Sequence, residues 1–350
     1  MDRNKKTFIL INPASQSGYS LKIWKKELEP LFVQAGVVFE VRFSREKNGM
    51  EALAREITAE NNPVNLIVLG GDGTASDALN GISDLNFVDF GYIPTGSSND
   101  FARAICQRNP VDAAASILES KVPEFLDLGE LSWIDADTGQ RQCRLFLESA
   151  GMGFDAAACE MADRSRWKKI LNRIHLGKLI YLFSAIRLIL TSRLKPMDIS
   201  VTACETHSSD PSADGAADGH GFQSGTGAKE QNLYFEHTLF AACMNHPYEG
   251  GAFMFCPEAK GNDGILDLCV AADISRIKFF QMFPTAYTGG HVGKKGVTIG
   301  RGEAMSFTSP EPQFIHADGE VLGKVSRIDI RTRRKILRLL NRYDIPTRIS

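Results

Sequence analysis

The sequence predicts an α/β domain of repeated strand–helix units, followed by a domain of antiparallel strands. In the first third, short apolar runs alternate with segments that carry apolar residues at helical spacing. From about Asp127 onward, strand-like runs separated by turns containing glycine or proline dominate, which is typical of an antiparallel sandwich. A chain of 350 residues is long enough for two such domains, each with its own core.

The first domain is expected to contain four strands, each followed by a helix or a polar turn. The strands are predicted at Phe8–Ile11, Val37–Phe43, Leu66–Leu69 and Phe90–Ile93. The helices are predicted at Leu21–Phe32, Gly49–Ile57, Ala75–Asn80 with Thr74 as N-cap, and Phe101–Cys106. Repeated units of this kind form an open, mostly parallel sheet whose ligand binds at the carboxyl ends of the strands.

The second domain is expected to be built mainly from strands. Those that stand out are Cys143–Leu147, Ile199–Ala203, Leu239–Cys243 and Ile265–Val270. Residues 204–232 are rich in Ser, Gly, Ala and Asp and have hardly any large apolar side chain, which predicts a flexible hairpin insertion and not a site.

Composition indicates an ordinary globular protein. The formal net charge is −2 and the hydrophobic content 43%. Seven cysteines are scattered without a Cys-x-x-Cys pair, which favours reduced thiols over a disulfide framework. The apolar run near the N-terminus is too short for a signal peptide, and no apolar stretch is long enough to span a membrane. We therefore expect a cytoplasmic protein with no nucleic-acid partner; a homodimer is left open.

The stretch Asn65–Ile82 joins a buried strand to Gly70-Gly71-Asp72-Gly73-Thr74 and then to a helix. Glycines there would permit backbone conformations that a Cβ forbids, and would let a ligand approach the main chain closely. A helix N-terminus after such a turn offers N–H groups and a positive dipole end to a phosphate. It is not a Walker A loop, because no Gly-Lys-Ser/Thr follows. The alternative is a purely structural turn.

Three polar turns, at 12–18, 70–77 and 94–100, each follow a predicted strand. Since carboxyl ends of parallel strands share one edge of a sheet, the three turns should meet there. Their convergence is the main indication of a site.

These turns carry a family resemblance. GGDGTASDALNGI and IPTGSSNDFAR resemble the catalytic domain of the diacylglycerol kinase family, and most closely its soluble bacterial lipid kinases, a group related to sphingosine and ceramide kinases. NPASQSG resembles the family's first nucleotide loop, and the late Asp-Gly-Glu resembles its catalytic turn. Asp77, where most members carry Glu, and Gln16, where glycine is common, depart from the pattern.

The resemblance implies a fold and a division into domains. It implies a Rossmann-like nucleotide-binding domain of the NAD-kinase and diacylglycerol-kinase type, a C-terminal antiparallel β-sandwich that binds lipid, and an active site between them. The corresponding ranges are 1–126, with 331–350 returning to it, and 127–330.

The resemblance also implies the cofactors ATP and Mg²⁺ and a set of nucleotide contacts. Those contacts are Asn12, Pro13, Ala14, Ser15, Ser44, Gly71, Asp72, Gly73, Thr74, Ala75, Ser76, Asp77, Gly96, Ser97, Asn99 and Glu320. Backbone N–H groups from Gly71 to Ser76 would cradle phosphates, and Asp72, which is anionic, makes sense as a carboxylate that reaches Mg²⁺. Asn99 and Asp100 open a helix at the same sheet edge; a helix cap is the alternative for them and is compatible with a role in the nucleotide site.

Asp318 is the candidate base, with Asp72 and Asp100 as the other catalytic candidates. A carboxylate with a pKa near about 3.9 can orient a hydroxyl and accept its proton as transfer proceeds. A plain type I′ hairpin turn is the alternative for Asp318-Gly319. For a second, structural metal ion the resemblance implies Asp127 and Asp263 with the backbone carbonyls of Lys260 and Ile265, where a simple turn is again the alternative.

The function expected from the sequence is ATP- and Mg²⁺-dependent phosphorylation of a primary hydroxyl on a membrane lipid, most simply diacylglycerol. Alternatives are another lipid of the sphingoid or phosphatidylglycerol type, a soluble acceptor such as NAD, or a non-catalytic nucleotide- or lipid-binding regulator.

Between Arg164 and Lys195 lie nine basic residues and no acidic one, interleaved with apolar side chains. This pattern predicts a surface that docks on the anionic inner face of the membrane. A helix that covers the sandwich is the alternative.

Overall fold

The computed structural model describes residues 1–45, 49–153, 194–202 and 230–344. In its first part, four parallel strands pair in the order β4-β3-β1-β2. They are β1 Lys6–Ile11, β2 Phe39–Phe43, β3 Val64–Gly70 and β4 Val88–Pro94. Every residue of β3 is buried, because its alternate side chains enter two cores, Leu66 and Val68 on one face and Ile67 and Leu69 on the other.

Helices cover both faces of this parallel sheet. They are α1 Tyr19–Ile23, α2 Glu29–Gln34, α3 Gly49–Thr58, α4 Asp72–Gly81, α5 Asp100–Ala104 and α6 Pro110–Glu119, with a π-helical segment Trp24–Leu28 between α1 and α2. The predicted N-cap at Thr74 is wrong: α4 starts at Asp72 and Gly71 is its N-cap. The helix predicted to reach Cys106 ends at Ala104.

The second part is antiparallel. Its strands are β5 Glu124–Ile134, β6 Arg141–Phe146, β7 Ser149–Gly153, β8 Lys195–Thr202, β9 Glu230–Met244, β10 Tyr248–Glu249, β11 Phe253–Met254, β12 Leu266–Ala272, β13 Val297–Gly302, β14 Ala304–Ala317 and β15 Glu320–Leu339. The path runs β13-β12-β9-β7-β14-β15, with β5 beside β15 and β6, and β8 beside β14 and β9. One short helix, α7 Arg276–Met282, packs on this part through Phe279 and Met282.

Strand β15 connects the two parts. It pairs antiparallel with β14 and β5, and near its end Arg338 and Leu339 pair parallel with Asp89 and Phe90 of β4. Just beyond it, the Asn341 carboxamide bonds to both backbone groups of Tyr92, at 2.7 and 2.8 Å. The antiparallel and parallel strands therefore form one continuous sheet.

Two sequence predictions fall largely outside the described residues. The basic segment predicted to dock on membranes lies outside them except for Leu194 and Lys195, and so does most of the insertion predicted at 204–232. Within the described ranges, no helix is both long and apolar enough to cross a bilayer. Cys106 and Cys143 are exposed free thiols, whereas Cys243, Cys256 and Cys269 are buried ones.

Candidate active site

The three polar turns meet at the carboxyl edge of the parallel sheet, as predicted. The Asn12 carboxamide, after β1, donates to the Thr74 hydroxyl at 3.0 Å. The Ser15 hydroxyl donates to the Thr95 carbonyl after β4 at 2.8 Å. Ser44, at the end of β2, donates its N–H to the Ile11 carbonyl at 3.1 Å and so adjoins the first turn. Side chains of each turn thus fix the position of its neighbour.

Glycines are required here for close packing. A Cβ added to Gly96 would lie 2.3 Å from the Gly71 Cα, so the second and third turns are in backbone contact. Neither Gly71 nor Gly73 has a positive φ, so these two glycines do not use the backbone freedom that the sequence permits. A Cβ on Gly73 would meet nothing within 4 Å. Gly73 therefore borders open space at the start of α4.

The first turn of α4 offers fewer donors than the sequence predicted. The N–H groups of Thr74 and Ala75 already donate to the Gly71 carbonyl, at 2.9 and 3.1 Å. Ser76 is buried near Asp318, and its hydroxyl has no partner at normal hydrogen-bond length among the described residues. The phosphate cradle at 71–76 stays a prediction, and within it the Thr74 and Ala75 N–H groups already have an acceptor.

The remaining predicted nucleotide contacts of the first and third turns lie beside this edge. Ala14, which follows Pro13, donates its N–H to the Asn12 side-chain oxygen at 3.0 Å. Asn99 is the N-cap residue of α5, with a φ of 53°, but its carboxamide bonds to both backbone groups of Gly96 at 2.9 Å, so its side chain closes the turn and makes no capping bond to the helix. Ser97, at the tip of that turn, is exposed.

Asp72 joins the second turn to the third. Its carboxylate accepts the backbone N–H of Asp100 at 3.1 Å and that of Phe101 at 3.4 Å. The Tyr92 hydroxyl, which is buried, also lies 3.3 Å from this carboxylate. Burial, and next the charge of Asp100, raise the pKa of Asp72 to about 6.

Asp100 ties the α/β part to the antiparallel part. Its buried carboxylate accepts the backbone N–H groups of Gly251 and Ala252, at 2.6 and 2.8 Å. These two residues form the tip of the β10–β11 hairpin. The Arg103 guanidinium lies 3.8 Å from the same carboxylate.

Glu148, which sequence reasoning missed, completes an acidic cluster with Asp72 and Asp100. One carboxylate oxygen from each residue lies within 4.8 Å of the others. The Glu148 side chain accepts the Phe101 N–H at 2.8 Å and is buried in the connection between β6 and β7. Burial, followed by the charges of Asp72 and Asp100, raises the pKa of Glu148 well above its ordinary value. The only sequence signal was an acid among apolar residues, Phe146-Leu147-Glu148-Ser149-Ala150.

This cluster fits a hard divalent cation. Three carboxylates supply the oxygen ligands that Mg²⁺ binds. A divalent ion would also offset the mutual repulsion that contributes to the raised pKa values of Asp72 and Glu148. Among the described residues, Asp72, Asp100 and Glu148 form the one group of three or more acidic, histidine or cysteine side chains whose ligand atoms lie close enough together to hold a metal ion.

Asp318 lies on the other side of Glu148, at the tip of the β14–β15 hairpin. Asp318 and Gly319 have φ values of 48° and 75° between the paired residues Ala317 and Glu320, so the predicted two-residue turn is present. The Asp318 carboxylate accepts backbone N–H groups of Leu147, Glu148 and Ser149, at 2.9, 2.8 and 3.3 Å. Burial raises its pKa, and these bonds oppose the rise.

Asp77 and Glu320, both predicted nucleotide contacts, share one arginine that the sequence did not single out. The Arg144 guanidinium lies 3.0 Å from Asp77 and 3.6 Å from Glu51, and it also contacts Glu320. Burial, and next the charge of Glu320, raise the pKa of Asp77 to about 6. The carboxylates of Asp77 and Glu320 are thus both paired with Arg144 beside α4.

The second metal site stays a prediction, and its carboxylates have protein partners. Asp127 accepts the N–H groups of Gly264 and Lys335, at 2.6 and 2.7 Å. Asp263 accepts the N–H of Ile265 at 3.1 Å and faces the Arg301 guanidinium at 2.7 Å. Lys260, whose carbonyl was a predicted ligand, is exposed. Arg301 supplies a positive charge where a metal ion was expected.

Two family models match the chain. The diacylglycerol kinase catalytic domain matches residues 6–131, and the YegS C-terminal NAD kinase beta sandwich-like domain matches residues 148–341. A diacylglycerol kinase of Mycobacterium tuberculosis (strain H37Rv) is 28% identical over 90% of this chain and 88% of its own length. Sphingoid long-chain bases kinase 1 of Arabidopsis thaliana is 28% identical over 37% of this chain and 18% of its own length.

A solved structure supports the same fold. The crystal structure of a diacylglycerol kinase from Bacillus anthracis matches with a TM-score of 0.61 and 17% identity, over 96% of this chain and 97% of the other. At that identity the likeness shows the fold alone: an α/β domain followed by a β-sandwich-like domain. The two family matches run in the same order along the sequence. The chain therefore carries a diacylglycerol kinase catalytic domain and belongs to the family of the YegS C-terminal NAD kinase beta sandwich-like domain, whose model matches more than half of it, and it is a lipid kinase.

Proposed function

We propose that this lipid kinase transfers the γ-phosphoryl group of ATP to a primary hydroxyl of a membrane lipid, most simply diacylglycerol, with Mg²⁺ as cofactor. The observation that supports this most is the position of Glu148, whose backbone N–H bonds to Asp318 while its side chain adjoins Asp72 and Asp100. The candidate base and the candidate metal ligands therefore share one rigid connection.

The nucleotide would lie along the three turns. Its phosphates would approach the backbone at 71–73, where Gly73 borders open space. Asp72, Asp100 and Glu148 would hold Mg²⁺, which when bound neutralises charge on the transferring phosphoryl group.

Asp318 would act on the acceptor. Three backbone N–H bonds fix its carboxylate, so its orientation needs no reorganisation during the reaction. The lipid hydroxyl oxygen forms a bond to the γ-phosphorus, and the bond from that phosphorus to the bridging oxygen breaks and releases ADP. The hydroxyl proton passes to the Asp318 carboxylate as the oxygen loses basicity.

The acceptor distinguishes this proposal from its rivals. Purified protein with labelled ATP and Mg²⁺ should label diacylglycerol in mixed micelles. Labelling of a sphingoid base or of phosphatidylglycerol instead would assign that lipid as the substrate. The sphingoid base is included because part of the chain matches a sphingoid-base kinase. Labelling of NAD alone would refute the lipid assignment. Binding of ATP without any labelled product would favour a non-catalytic regulator.

A further inference from the structure

The segment formed by α7 and the loop that follows it carries several exposed apolar side chains. Ile277 is 72% exposed, Tyr287 52% and Val292 44%. Phe280 in the same segment is half-buried. A helix face that only meets water usually carries charged or polar residues, so apolar side chains of this size call for a partner. We call these four residues, with Arg276, Lys278, Lys294 and Lys295, the α7 face.

The charged side chains of this segment have one sign. From Ile274 to Gly302 the sequence contains no Asp or Glu. The four basic residues of the α7 face lie in that interval, and Lys278, Lys294 and Lys295 are exposed. The Lys294 ammonium donates to the Thr285 hydroxyl at 3.2 Å, which keeps it beside the exposed apolar side chains. Apolar groups ringed by cations are the pattern of an interfacial membrane-binding surface.

The α7 face rests on a layer of packed aromatic rings. Phe253 stacks on Tyr287 with ring centroids 4.2 Å apart and contacts Phe283 at 4.5 Å. Phe283 in turn lies 5.4 Å from the buried Phe279 of α7. The exposed groups are therefore held by a rigid base.

The same aromatic layer connects the α7 face to the candidate active site. Phe253 belongs to the β10–β11 hairpin, whose tip donates the N–H groups of Gly251 and Ala252 to Asp100. A membrane that contacts Tyr287 would thus be connected to the acidic cluster by two contacts, that of Tyr287 with Phe253 and that of the hairpin tip with Asp100.

We propose that the α7 face is the surface on which this protein docks to an anionic lipid bilayer, an inference that rests on the proposed phosphorylation of a membrane lipid. Charge complementarity selects this occupant. A second copy of the chain would bring the same cations against one another, whereas anionic headgroups would neutralise them while the acyl boundary buries Ile277 and Val292.

The test is co-sedimentation with vesicles in the absence of nucleotide. Vesicles of phosphatidylcholine mixed with phosphatidylglycerol should bind the full chain, and pure phosphatidylcholine vesicles should not. Because each basic residue near an anionic surface contributes roughly a fivefold gain in affinity, the triple variant Lys278→Gln, Lys294→Gln, Lys295→Gln should bind about a hundredfold more weakly. Ile277→Asn with Val292→Asn should weaken binding as well. High salt should release the wild type.

Matched controls lie on the opposite domain. Lys22→Gln, Lys25→Gln, Lys26→Gln removes three exposed charges from α1 and the π-helical segment, and Val33→Asn with Val122→Asn removes two exposed apolar side chains. Both controls should bind vesicles like the wild type, with unchanged melting temperatures. Equal binding by the α7-face triple variant, equal binding to neutral vesicles, or no binding by the wild type would each overturn the docking surface.

Activity on a dispersed substrate separates this inference from the proposed function. The triple variant should phosphorylate a short-chain, water-dispersed diacylglycerol at the wild-type rate, because no residue of the catalytic machinery is changed. If the wild type phosphorylates that substrate but the triple variant binds vesicles as strongly as the wild type, the docking surface is refuted and the proposed function stands. If vesicle binding behaves as expected but no lipid is phosphorylated, the function is refuted and the surface stands.

Discussion

The Asp318 carboxylate accepts the backbone N–H of Glu148 at 2.8 Å, and the side chain of that same Glu148 lies among Asp72 and Asp100. The connection between β6 and β7 thus sets the distance between the two halves of the candidate site. Its carbonyl at Glu148 also accepts the Asn245 N–H at 2.7 Å, which holds it on the antiparallel part. A shift of this connection would move the base and the metal ligands together.

Asp318→Asn should abolish phosphoryl transfer while ATP binding survives. The amide keeps the size of the side chain but has little basicity, so we expect the rate to fall by a factor of about 10²–10⁴. Calorimetric titration with Mg·ATP and a turnover assay separate the two effects. A variant that retains near wild-type turnover would remove Asp318 from the role of base.

Glu148→Gln should remove Mg²⁺-dependent nucleotide binding without unfolding the protein. Burial and the charges of Asp72 and Asp100 raise the pKa of Glu148 well above its ordinary value, and glutamine keeps the size of the side chain without a charge. Its amide oxygen can still accept the Phe101 N–H. We expect an unchanged melting temperature without metal and an affinity for Mg·ATP that is about 10–100-fold lower.

The control for this variant is Glu130→Gln. Glu130 is also a buried carboxylate, but it pairs with Arg331 and Arg333 away from the acidic cluster. It should leave Mg·ATP affinity unchanged. Equal stabilisation of wild type and Glu148→Gln by Mg·ATP would show that Glu148 is not a ligand.

The sequence predicted the three turns because each follows an apolar strand, and parallel strands end at one edge. It did not predict Glu148, since a single acid in an apolar stretch has no local signature and becomes part of a site only when β6, β7 and α5 pack together. Backbone donors such as those of Gly251 and Ala252 leave no trace in sequence at all. The N-cap at Thr74 was wrong because its hydroxyl accepts from Asn12 and the helix starts three residues earlier than predicted.

Gly96→Ala and Gly73→Ala should have opposite effects on stability. A Cβ at Gly96 would lie 2.3 Å from the Gly71 Cα, so the turns must separate, which costs about 1–3 kcal/mol of unfolding free energy. A Cβ at Gly73 meets nothing, and alanine in α4 should add up to about 1 kcal/mol. If phosphate lies against Gly73, its alanine variant should nevertheless bind ATP about tenfold more weakly.

Denaturant titration and ATP binding distinguish these effects. A Gly73→Ala protein that is stable and binds ATP normally would place the phosphates elsewhere. An unaffected Gly96→Ala protein would mean that the two turns can part without cost.

Asp77→Asn should stabilise the protein at alkaline pH. Burial and the charge of Glu320 raise the pKa of Asp77 to about 6, above its unfolded value near 3.9, so the folded state favours the protonated carboxyl. The stabilising contribution of this group is complete below pH about 4 and is lost as the pH rises through about 6. Arg144 keeps Glu51 and Glu320 as partners after the substitution. Since the Asp77 side chain is about a quarter exposed, we expect a gain of about 1–2 kcal/mol at pH 8 and none at pH 4.

Urea unfolding at the two pH values measures this difference. Glu60→Gln, on an exposed loop, is the matched control and should change stability at neither pH. Destabilisation by Asp77→Asn at pH 8 would mean that its ion pair with Arg144 outweighs burial and the repulsion from Glu320. The unfolding curves at the two pH values therefore show whether the third carboxylate around the Arg144 guanidinium destabilises the fold. If it does, the protein would retain the Asp77 carboxylate for the nucleotide site.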